Sequence, residues 1–218
     1  VGIDFFKNDH FFFYGGQGSG KTATLRLIAA EIARVYTPES AQIFAVDYRR
    51  SLLGELPEEF IGGYYTTADQ AMEQLSGLAN YLKIRLPGPN VMPQQLRDRS
   101  WWTGKEVFIM VDDYDLVNTP SGNPVAAFQP LMAQAHDLGL HIILTRRSGG
   151  AQRALYEPVM QAMTDLAVPG MLLPGSPEDG QILGRLKPQV ANPGRAQFRS
   201  REVPREQLQI AWEIPKLD

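Results

Sequence analysis

Five short segments of the chain are apolar at nearly every position, and polar or glycine-rich sequence separates them. Strands of a parallel sheet that is covered on both faces show this continuous pattern, whereas strands with one exposed face alternate between apolar and polar residues. The pattern therefore predicts buried parallel strands. The segments are HFFFY (10–14), QIFAV (42–46), VFIMV (107–111), LHIILT (140–145) and AVPGMLL (167–173).

Between these runs lie segments whose apolar residues recur every three or four positions, which is the spacing of one helix face. The first helix begins after Lys21. The second has Thr67 as its N-cap and Gln70 three residues later, which predicts a capping box, and LPGP at 86–89 ends it. The apolar positions are Leu25, Ile28, Ile32 and Val35 in the first helix and Met72, Leu75, Leu78, Ala79 and Leu82 in the second.

A third helix is expected near 124–138. Asn123 and Pro124 stand at its start, where a cap and a first-turn proline are favourable. Pro130 lies inside the segment and has no N–H to give to the helix ladder. We therefore expect the third helix to start late or to be kinked.

Strands that alternate with helices predict an α/β fold in which helices flank a mostly parallel sheet. The C-terminal tail alternates instead, which predicts an antiparallel strand at the sheet edge. Stretches 86–93 and 118–124 are rich in Pro and Gly, but the strand pattern resumes after each, so they are loops. We expect a single domain over 1–218. The alternating apolar residues of the tail are Leu208, Ile210, Trp212 and Ile214.

Composition narrows the classes of function. The chain has 21 Lys and Arg against 24 Asp and Glu, a net charge of −3, so any anion site must be local. It contains no Cys, which excludes disulfide scaffolds, thiolate zinc sites and cysteine nucleophiles, and its three His are scattered. The chain starts at Val1 and its apolar runs are too short to cross a bilayer. We expect a soluble fragment of a longer protein.

A phosphate-binding loop follows the first predicted strand directly. The sequence GGQGSGKT (15–22) fits the Walker A pattern G-x-x-x-x-G-K-[ST], and an amphipathic helix follows it, as that loop requires. Backbone N–H groups of such a loop surround a phosphate, the lysine reaches the β- and γ-phosphates, and the threonine ligates Mg²⁺. The predicted nucleotide-binding residues are Gly15, Gly16, Gln17, Gly18, Ser19, Gly20, Lys21 and Thr22.

A second acidic element is typical of a nucleoside triphosphate site. In VFIMVDDYD, Asp112 ends an apolar strand as a Walker B aspartate does, so Thr22 and Asp112 are the predicted Mg²⁺ ligands. Asp113 occupies the place where additional-strand NTPases carry a catalytic Glu, and it is our candidate for polarising water. Its side chain is one methylene shorter, and a misplacement of about 1 Å can cost about 10²-fold in rate. The sequence predicts ATP binding more firmly than turnover.

Other polar and aromatic residues leave alternatives open. Thr145 ends the strand after Asp112 and is either a catalytic sensor near the γ-phosphate or a plain strand-end residue. The segment Asp47–Arg50 follows the second strand at the edge where ligands bind, but surface salt bridges are the favoured interpretation. Trp101 and Trp102 are adjacent, and a packing role is favoured over a partner groove.

Taken together, several segments resemble the carboxyl-terminal FtsK/SpoIIIE-type ATPase domain of the EccC/EssC motor of type VII (ESX) secretion, with mycobacterial character. The resemblance covers nearly the whole chain, and the combination of WWTG, VDDYDLV and RRSGG is its specific part. The matching segments are GGQGSGKT (15–22), VDYRRSLL (46–53), RLPGP (85–89), SWWTG (100–104), FIMVDDYDLV (108–117), GLHIILTRRSGGAQRALYEPV (139–159) and PGR (193–195).

The resemblance implies a RecA-like P-loop fold that binds ATP and Mg²⁺. It further implies a module on the cytoplasmic face of a membrane-anchored motor, with the membrane segments elsewhere in the parent protein. Its implied partners are other ATPase modules of the motor and small helical-hairpin substrates that dock through a C-terminal signal segment. By analogy, the late turn of Pro193, Gly194 and Arg195 is a candidate for the contact with the base.

Two departures from active relatives predict weak hydrolysis. Asp113 replaces their Glu, and segment 176–184 has Gly180 and Gln181 where active modules carry a finger arginine. Such arginines are worth about 10³ to 10⁵ in rate. Ser176 and Pro177 also let that segment be read as a capped helix start.

Two alternative functions remain. One is an FtsK-like DNA translocase, which could line a channel with Arg97, Arg99 or Arg146; the net charge of −3 argues against nucleic acid. The other is a non-catalytic module that binds a signal peptide and holds its nucleotide as a structural part.

Overall fold

One eight-stranded sheet forms the centre of the molecule in the computed structural model, which describes residues 3–5, 7–212 and 214–215. The strand order is β3-β2-β4-β5-β1-β6-β7-β8. The strands are β1 (His10–Gly15), β2 (Ala41–Val46), β3 (Ile61–Tyr65), β4 (Glu106–Val111), β5 (Leu140–Arg147), β6 (Gly170–Leu172), β7 (Arg195–Arg199) and β8 (Glu206–Gln209).

Helices and short 3₁₀ segments connect these strands and cover both faces of the sheet. The 3₁₀ segments are Glu58–Phe60, Pro124–Gln134 and Pro177–Asp179. The α-helices are α1 (Lys21–Val35), α2 (Ala68–Lys83), α3 (Pro93–Asp98), α4 (Tyr114–Val117), α5 (Ala135–Leu138), α6 (Ala151–Ala154) and α7 (Pro158–Asp165).

The pairing confirms the predicted α/β class. All pairs from β3 across the sheet to β6 are parallel, and β7 and β8 add antiparallel pairs at the C-terminal edge. Strand β5 lies between β4 and β1, which is the order of additional-strand NTPases. The carboxyl ends of β1, β4 and β5 therefore meet at one edge of the sheet.

Strand β1 shows why the predicted runs are apolar throughout. Phe12 and Tyr14 belong to the hydrophobic core on the side of α2, whereas Phe11 and Phe13 belong to the core on the side of α1. Successive side chains of a strand point to opposite faces, so a strand buried on both faces needs apolar residues at every position. The continuous runs were a correct signal of two-sided burial.

The predicted third helix is α-helical only in its last turn, so it starts late, as Pro130 predicted. Pro124–Gln134 is a 3₁₀ segment, and only the single turn of α5 after it is α-helical. Pro130 lies inside the 3₁₀ segment and cannot donate to an α-helical ladder, which accounts for the tighter winding. Asn123 caps the segment as predicted, because its side chain accepts from the Val125 N–H at 3.0 Å.

Three further predictions need correction. Thr67 is the N-cap of α2 but makes no side-chain cap hydrogen bond, so the predicted capping box is wrong. Of the run 167–173, only β6 is a strand, because Ala167 takes a left-handed φ of 54° and ends α7. The tail strand is shorter than predicted: β8 ends at Gln209, opposite the first residue of β7, and Trp212 beyond it is 70% exposed.

The paired tryptophans pack within the fold, as predicted. The Trp101 indole donates to the carbonyl of Arg85 and the Trp102 indole to the carbonyl of Asp137, each at 2.7 Å. The Arg85 guanidinium lies 4.1 Å from the centroid of the Trp102 ring. These contacts join the end of α2 to the approach to β4.

Candidate nucleotide site

The loop 15–22 connects the end of β1 to the start of α1, and its glycines allow a close approach of backbone. A Cβ on Gly15 would lie 2.8 Å from Leu173 Cβ. Gly20 has a φ of 106°, and a Cβ there would lie 3.3 Å from the backbone nitrogen of Gly194. A larger residue at either position would have to displace backbone or core.

Lys21 begins α1 and is buried at the base of this loop, where its side chain is 8% exposed. Its Nζ donates to the carbonyl of Gly16 at 3.1 Å and lies 3.5 Å from Oδ1 of Asp113. A buried lysine needs such partners, because burial disfavours its charged form. The ammonium therefore stands between the loop and the end of β4.

A network of hydroxyl groups surrounds Asp112 at the end of β4. Thr22 Oγ1 donates to Asp112 Oδ2 at 2.8 Å, and Thr145 Oγ1 donates to Asp112 Oδ1 at 2.7 Å. The Asp113 N–H in turn donates to Thr145 Oγ1 at 2.9 Å. Burial raises the pKa of Asp112, and the two hydroxyl donors act against that rise. Thr145 is fully buried and positions both carboxylate-bearing residues.

Asp113 lies in a left-handed backbone conformation with φ 48°, and its carboxylate is held by two cations. Oδ1 faces Lys21 at 3.5 Å, and Oδ2 accepts from Arg49 Nη1 at 3.0 Å. Arg49 belongs to the turn after β2. The predicted surface salt bridge of Arg49 is correct in part. Arg49 does form an ion pair, but its partner is the buried carboxylate of Asp113 and not a surface group.

Asp47 has a structural role instead. It is fully buried, and its Oδ2 accepts from the Leu52 N–H and from the Tyr64 hydroxyl, each at 2.7 Å. The prediction of a surface salt bridge is wrong for Asp47, because this buried side chain joins the turn after β2 to β3.

A cavity of about 340 Å³ opens above these groups. The sequence put Arg49 at the ligand-binding edge but favoured a surface salt bridge for it, and it did not assign Ser51 or Arg147 to a site. Arg49 and Ser51 follow β2, and Arg147 is the last residue of β5, so their positions at this edge were the available signal. Arg147 is tied by Asp115, to which its Nε and its backbone N–H donate at 2.6 and 3.1 Å. The lining residues are Gln17, Gly18, Lys21, Thr22, Arg49, Ser51, Asp113 and Arg147.

The turn 193–195 contacts the phosphate loop directly. The Gly194 N–H donates to the carbonyl of Ser19 at 3.0 Å, and the carbonyl of Gly194 accepts from the Ile210 N–H at 2.8 Å. Gly194 has a φ of 77°, a conformation that favours glycine. The structure therefore brings Pro193, Gly194 and Arg195 next to the loop, and a contact of this turn with the base stays a prediction.

Comparisons with known proteins decide the family. No family model matches the chain. The chain is 40% identical, over 99% of its length, to the ESX-4 secretion system protein EccC4 of Mycobacterium tuberculosis. It matches the solved cytoplasmic domain of the Thermomonospora curvata type VII secretion ATPase EccC with a TM-score of 0.94, at 41% identity over 98% of the chain. The chain belongs to the EccC family of type VII secretion ATPase domains.

The EccC domain spans only part of these relatives. It covers 17% of the M. tuberculosis protein and 25% of the T. curvata cytoplasmic domain. A second solved structure contains ATPases 2 and 3 of T. curvata EccC in complex with a signal sequence peptide. The match to this structure has a TM-score of 0.93 at 41% identity. It covers 98% of this EccC domain and 38% of the solved chain.

Segment 176–184 of the EccC domain forms the predicted capped start. Ser176 Oγ accepts from the Glu178 N–H at 3.3 Å, and Pro177–Asp179 is one 3₁₀ turn. The carbonyl of Gln181 accepts from Gln152 Nε2 at 3.2 Å, so the segment is joined to α6.

Two of the arginines considered for a DNA channel have partners inside the EccC domain. Arg99 pairs with Glu106 at 2.9 Å and lies over the Trp102 ring. Arg146 is 7% exposed and donates to the carbonyl of Arg147. Arg97 is exposed and donates to Gln94 on α3. Neither Arg99 nor Arg146 is free for a phosphate backbone.

The donor set of the EccC domain fits Mg²⁺ only together with a phosphate. The described residues contain no cluster of three or more His, Asp or Glu that could hold a metal alone. Thr22 and Asp112 supply a hydroxyl and a carboxylate, and Mg²⁺ sites of this kind are completed by substrate phosphates and water.

Within the described ranges, no helix is both long enough and apolar enough to span a membrane.

Proposed function

We propose that this EccC domain binds ATP with Mg²⁺ as one module of a type VII secretion motor. The observation that carries the proposal is the position of Lys21 and Thr22, which end a glycine-rich loop and meet the carboxylates of β4. Thr22 and Asp112 are joined at 2.8 Å, and Lys21 lies 3.5 Å from Asp113. A strand, a glycine loop, a helix N-terminus and a carboxylate at the carboxyl end of another strand of the same sheet together make a triphosphate site.

Thr22 and Asp112 would hold Mg²⁺, and the ion would neutralise charge on the β- and γ-phosphates when bound. The hydroxyl of Thr145 would keep Asp112 in place from the side of β5. The turn 193–195 would cover the loop and contact the base, and its hydrogen bond to Ser19 supports this assignment.

We further propose that hydrolysis by this module is slow. Asp113 is the residue placed to polarise water, but both of its oxygens face cations. Both oxygens are therefore engaged in ion pairs, which leaves neither free to orient an attacking water. The Gly180 and Gln181 of the capped segment supply no arginine for a neighbouring module.

We propose that the module works on the cytoplasmic side of a membrane-anchored complex, beside other ATPase modules, and helps export helical-hairpin substrates that carry a C-terminal signal segment. The relatives support this, since one is described as a cytoplasmic domain and another as a complex with a signal sequence peptide. A cavity of about 730 Å³ between α1, β8 and residues 3–5 gives further support, because its largely apolar wall offers surface to such a segment.

Titration calorimetry with Mg-ATP tests the nucleotide site. We expect Lys21→Ala to weaken binding at least about tenfold, because a charged hydrogen-bond donor is lost from the phosphates. Lys83→Ala is the matched control, since Lys83 lies exposed at the end of α2 and donates to Asn80. Equal ATP affinities of the wild type and Lys21→Ala would contradict the proposed site.

A further inference from the structure

Arg49 is a cation of the cavity wall that the sequence motifs do not assign. It lies in the turn after β2, and its side chain is 56% exposed. Its Nη1 donates to Asp113 Oδ2 at 3.0 Å, and Arg49 lines the cavity together with Lys21 and Thr22. The guanidinium therefore lines the cavity on the side of the turn after β2, beside the carboxylate that faces Lys21.

The turn that carries Arg49 is fixed by buried contacts. Asp47 accepts from the Leu52 N–H and the Tyr64 hydroxyl, and its own N–H donates to the carbonyl of Tyr65 at 2.9 Å. Arg50 takes a left-handed φ of 58°, and its N–H donates to the carbonyl of Asp47 at 3.2 Å, which closes the turn around Arg49. A rigid turn holds the start of a long side chain in place, so less conformational freedom is lost when the tip of the side chain binds a ligand.

Charge at the cavity favours an anion beside Arg49. Asp113 is one carboxylate between two cations, Lys21 and Arg49, so this group of three has a formal charge of +1. Arg147 also lines the cavity, but its Nε and backbone N–H are both given to Asp115. Arg49 shares one Nη with Asp113 and has four further N–H donors on its planar guanidinium.

We infer that Arg49 binds the γ-phosphate of ATP from the same chain and so allows the site to distinguish ATP from ADP. This inference rests on the proposed function. A guanidinium can donate to two acceptors at once through its fork, so Arg49 bridges Asp113 and the terminal phosphate. The loop surrounds the β-phosphate, which ATP and ADP share, whereas Arg49 enters the cavity from the turn after β2 and contacts Asp113, the residue proposed to polarise the water that attacks the γ-phosphate.

The test compares a non-hydrolysable ATP analogue with ADP, each with Mg²⁺, by titration calorimetry on wild type and Arg49→Gln. We expect Arg49→Gln to lower the affinity for the analogue by about 10- to 100-fold, because a charged hydrogen bond is lost. The affinity for ADP changes less than about threefold. Arg49→Lys, which keeps the charge and loses the fork, gives an intermediate loss.

Arg50→Gln is the matched control, because Arg50 is the adjacent exposed arginine and does not line the cavity. It leaves both affinities unchanged. The thermal midpoint of nucleotide-free Arg49→Gln verifies folding, and we expect it close to wild type because the arginine is more than half exposed.

The outcomes separate the two proposals. If the wild type binds neither nucleotide, the proposed function fails. If the wild type binds both, and Arg49→Gln loses affinity for both equally or for neither, then Arg49 does not read the γ-phosphate and the proposed function stands. A selective loss with Arg147→Gln, and none with Arg49→Gln, would move the role to Arg147.

Discussion

Under the proposed function, Asp113 is the residue that makes nucleotide binding more effective than hydrolysis. Its carboxylate is 8% exposed and is held from both sides by Lys21 and Arg49. Its backbone is left-handed, with φ 48°, a conformation that costs energy for a residue other than glycine. The position thus has the geometry of a functional residue, while its short, ion-paired side chain is poorly placed to accept a proton from water.

Asp113→Glu tests this account of slow hydrolysis. The added methylene moves the carboxylate further into the cavity, and we expect steady-state ATP hydrolysis to rise by about ten- to a hundredfold, since a 1 Å displacement can change a rate by about 10². Phosphate release under saturating Mg-ATP measures it. An unchanged or lower rate would show that another factor limits turnover, such as an arginine from a neighbouring module.

At the scale of elements, the predictable part of the fold is the part with local signals. The strands β1, β2, β4 and β5 are continuous apolar runs, and the phosphate loop stands between a strand and a helix. Strand β3 gives no such signal, because its sequence IGGYY lies at the exposed edge of the sheet and its Gly62 accommodates the ring of Phe44. An apolar pattern cannot reveal a strand whose glycines receive a neighbour's side chain.

The candidate site divides in the same way. Lys21, Thr22 and Asp112 come together as their motifs predict. Arg49 does not follow from a motif, because its contact with Asp113 spans 64 residues and depends on a turn that Asp47 bends by buried hydrogen bonds. The role of Thr145 was predictable only in part. The sequence placed it near the end of the strand that follows β4, but its hydrogen bond to Asp112 depends on the register between β4 and β5.

His10 joins three elements at the opposite end of the sheet from the candidate site. Its Nδ1 accepts from the Ile142 N–H of β5 at 3.1 Å, and Nε2 lies 3.2 Å from the carbonyl of Met132 in the 3₁₀ segment. This arrangement needs a neutral ring with its proton on Nε2. Burial lowers the pKa of His10 to about 4. Protonation of Nδ1 would place its N–H against the Ile142 N–H, and this hydrogen bond would be lost.

The pKa of His10 predicts a pH dependence of stability. In the unfolded chain His10 binds a proton below its usual pKa of 6.5, whereas in the folded chain it stays neutral down to about pH 4. Stability therefore falls as the pH falls from 6.5 to 4, by about 3 kcal/mol for this residue. Urea unfolding at a series of pH values measures it.

His10→Gln should flatten that slope, and His136→Gln, a change at a half-exposed histidine, serves as the control. If His10→Gln does not fold, the NMR titration of His10 in the wild type decides. A native-state pKa near 6.5 would contradict the prediction.

At the scale of the whole molecule, the C-terminal strands β7 and β8 connect the candidate site with the cavity beside α1. The candidate nucleotide cavity lies at the carboxyl edge of the sheet. The turn that leads into β7 contacts loop 15–22 through Gly194, and Ile210, just after β8, donates to the carbonyl of Gly194. Strand β8 also lines the apolar cavity beside α1. The domain covers 17% of its M. tuberculosis relative. Under the proposed function, an arginine that completes catalysis would come from a neighbouring module.

The net charge of −3 and the hydrogen-bonding partners of Arg99 and Arg146 argue against the alternative of a DNA translocase. An affinity for duplex DNA that falls steeply between low and moderate salt would support the translocase alternative. The slope of affinity against salt concentration reports how many DNA phosphates the protein neutralises.

The central claim is that the site holds ATP at loop 15–22 and hydrolyses it slowly. The most direct measurement is to load the domain with Mg-ATP, remove free nucleotide by gel filtration, and identify the retained nucleotide by anion-exchange chromatography over time. We predict that ATP remains the main retained species and that Lys21→Ala retains little. Retained ADP, or equal retention by Lys21→Ala, would contradict the account.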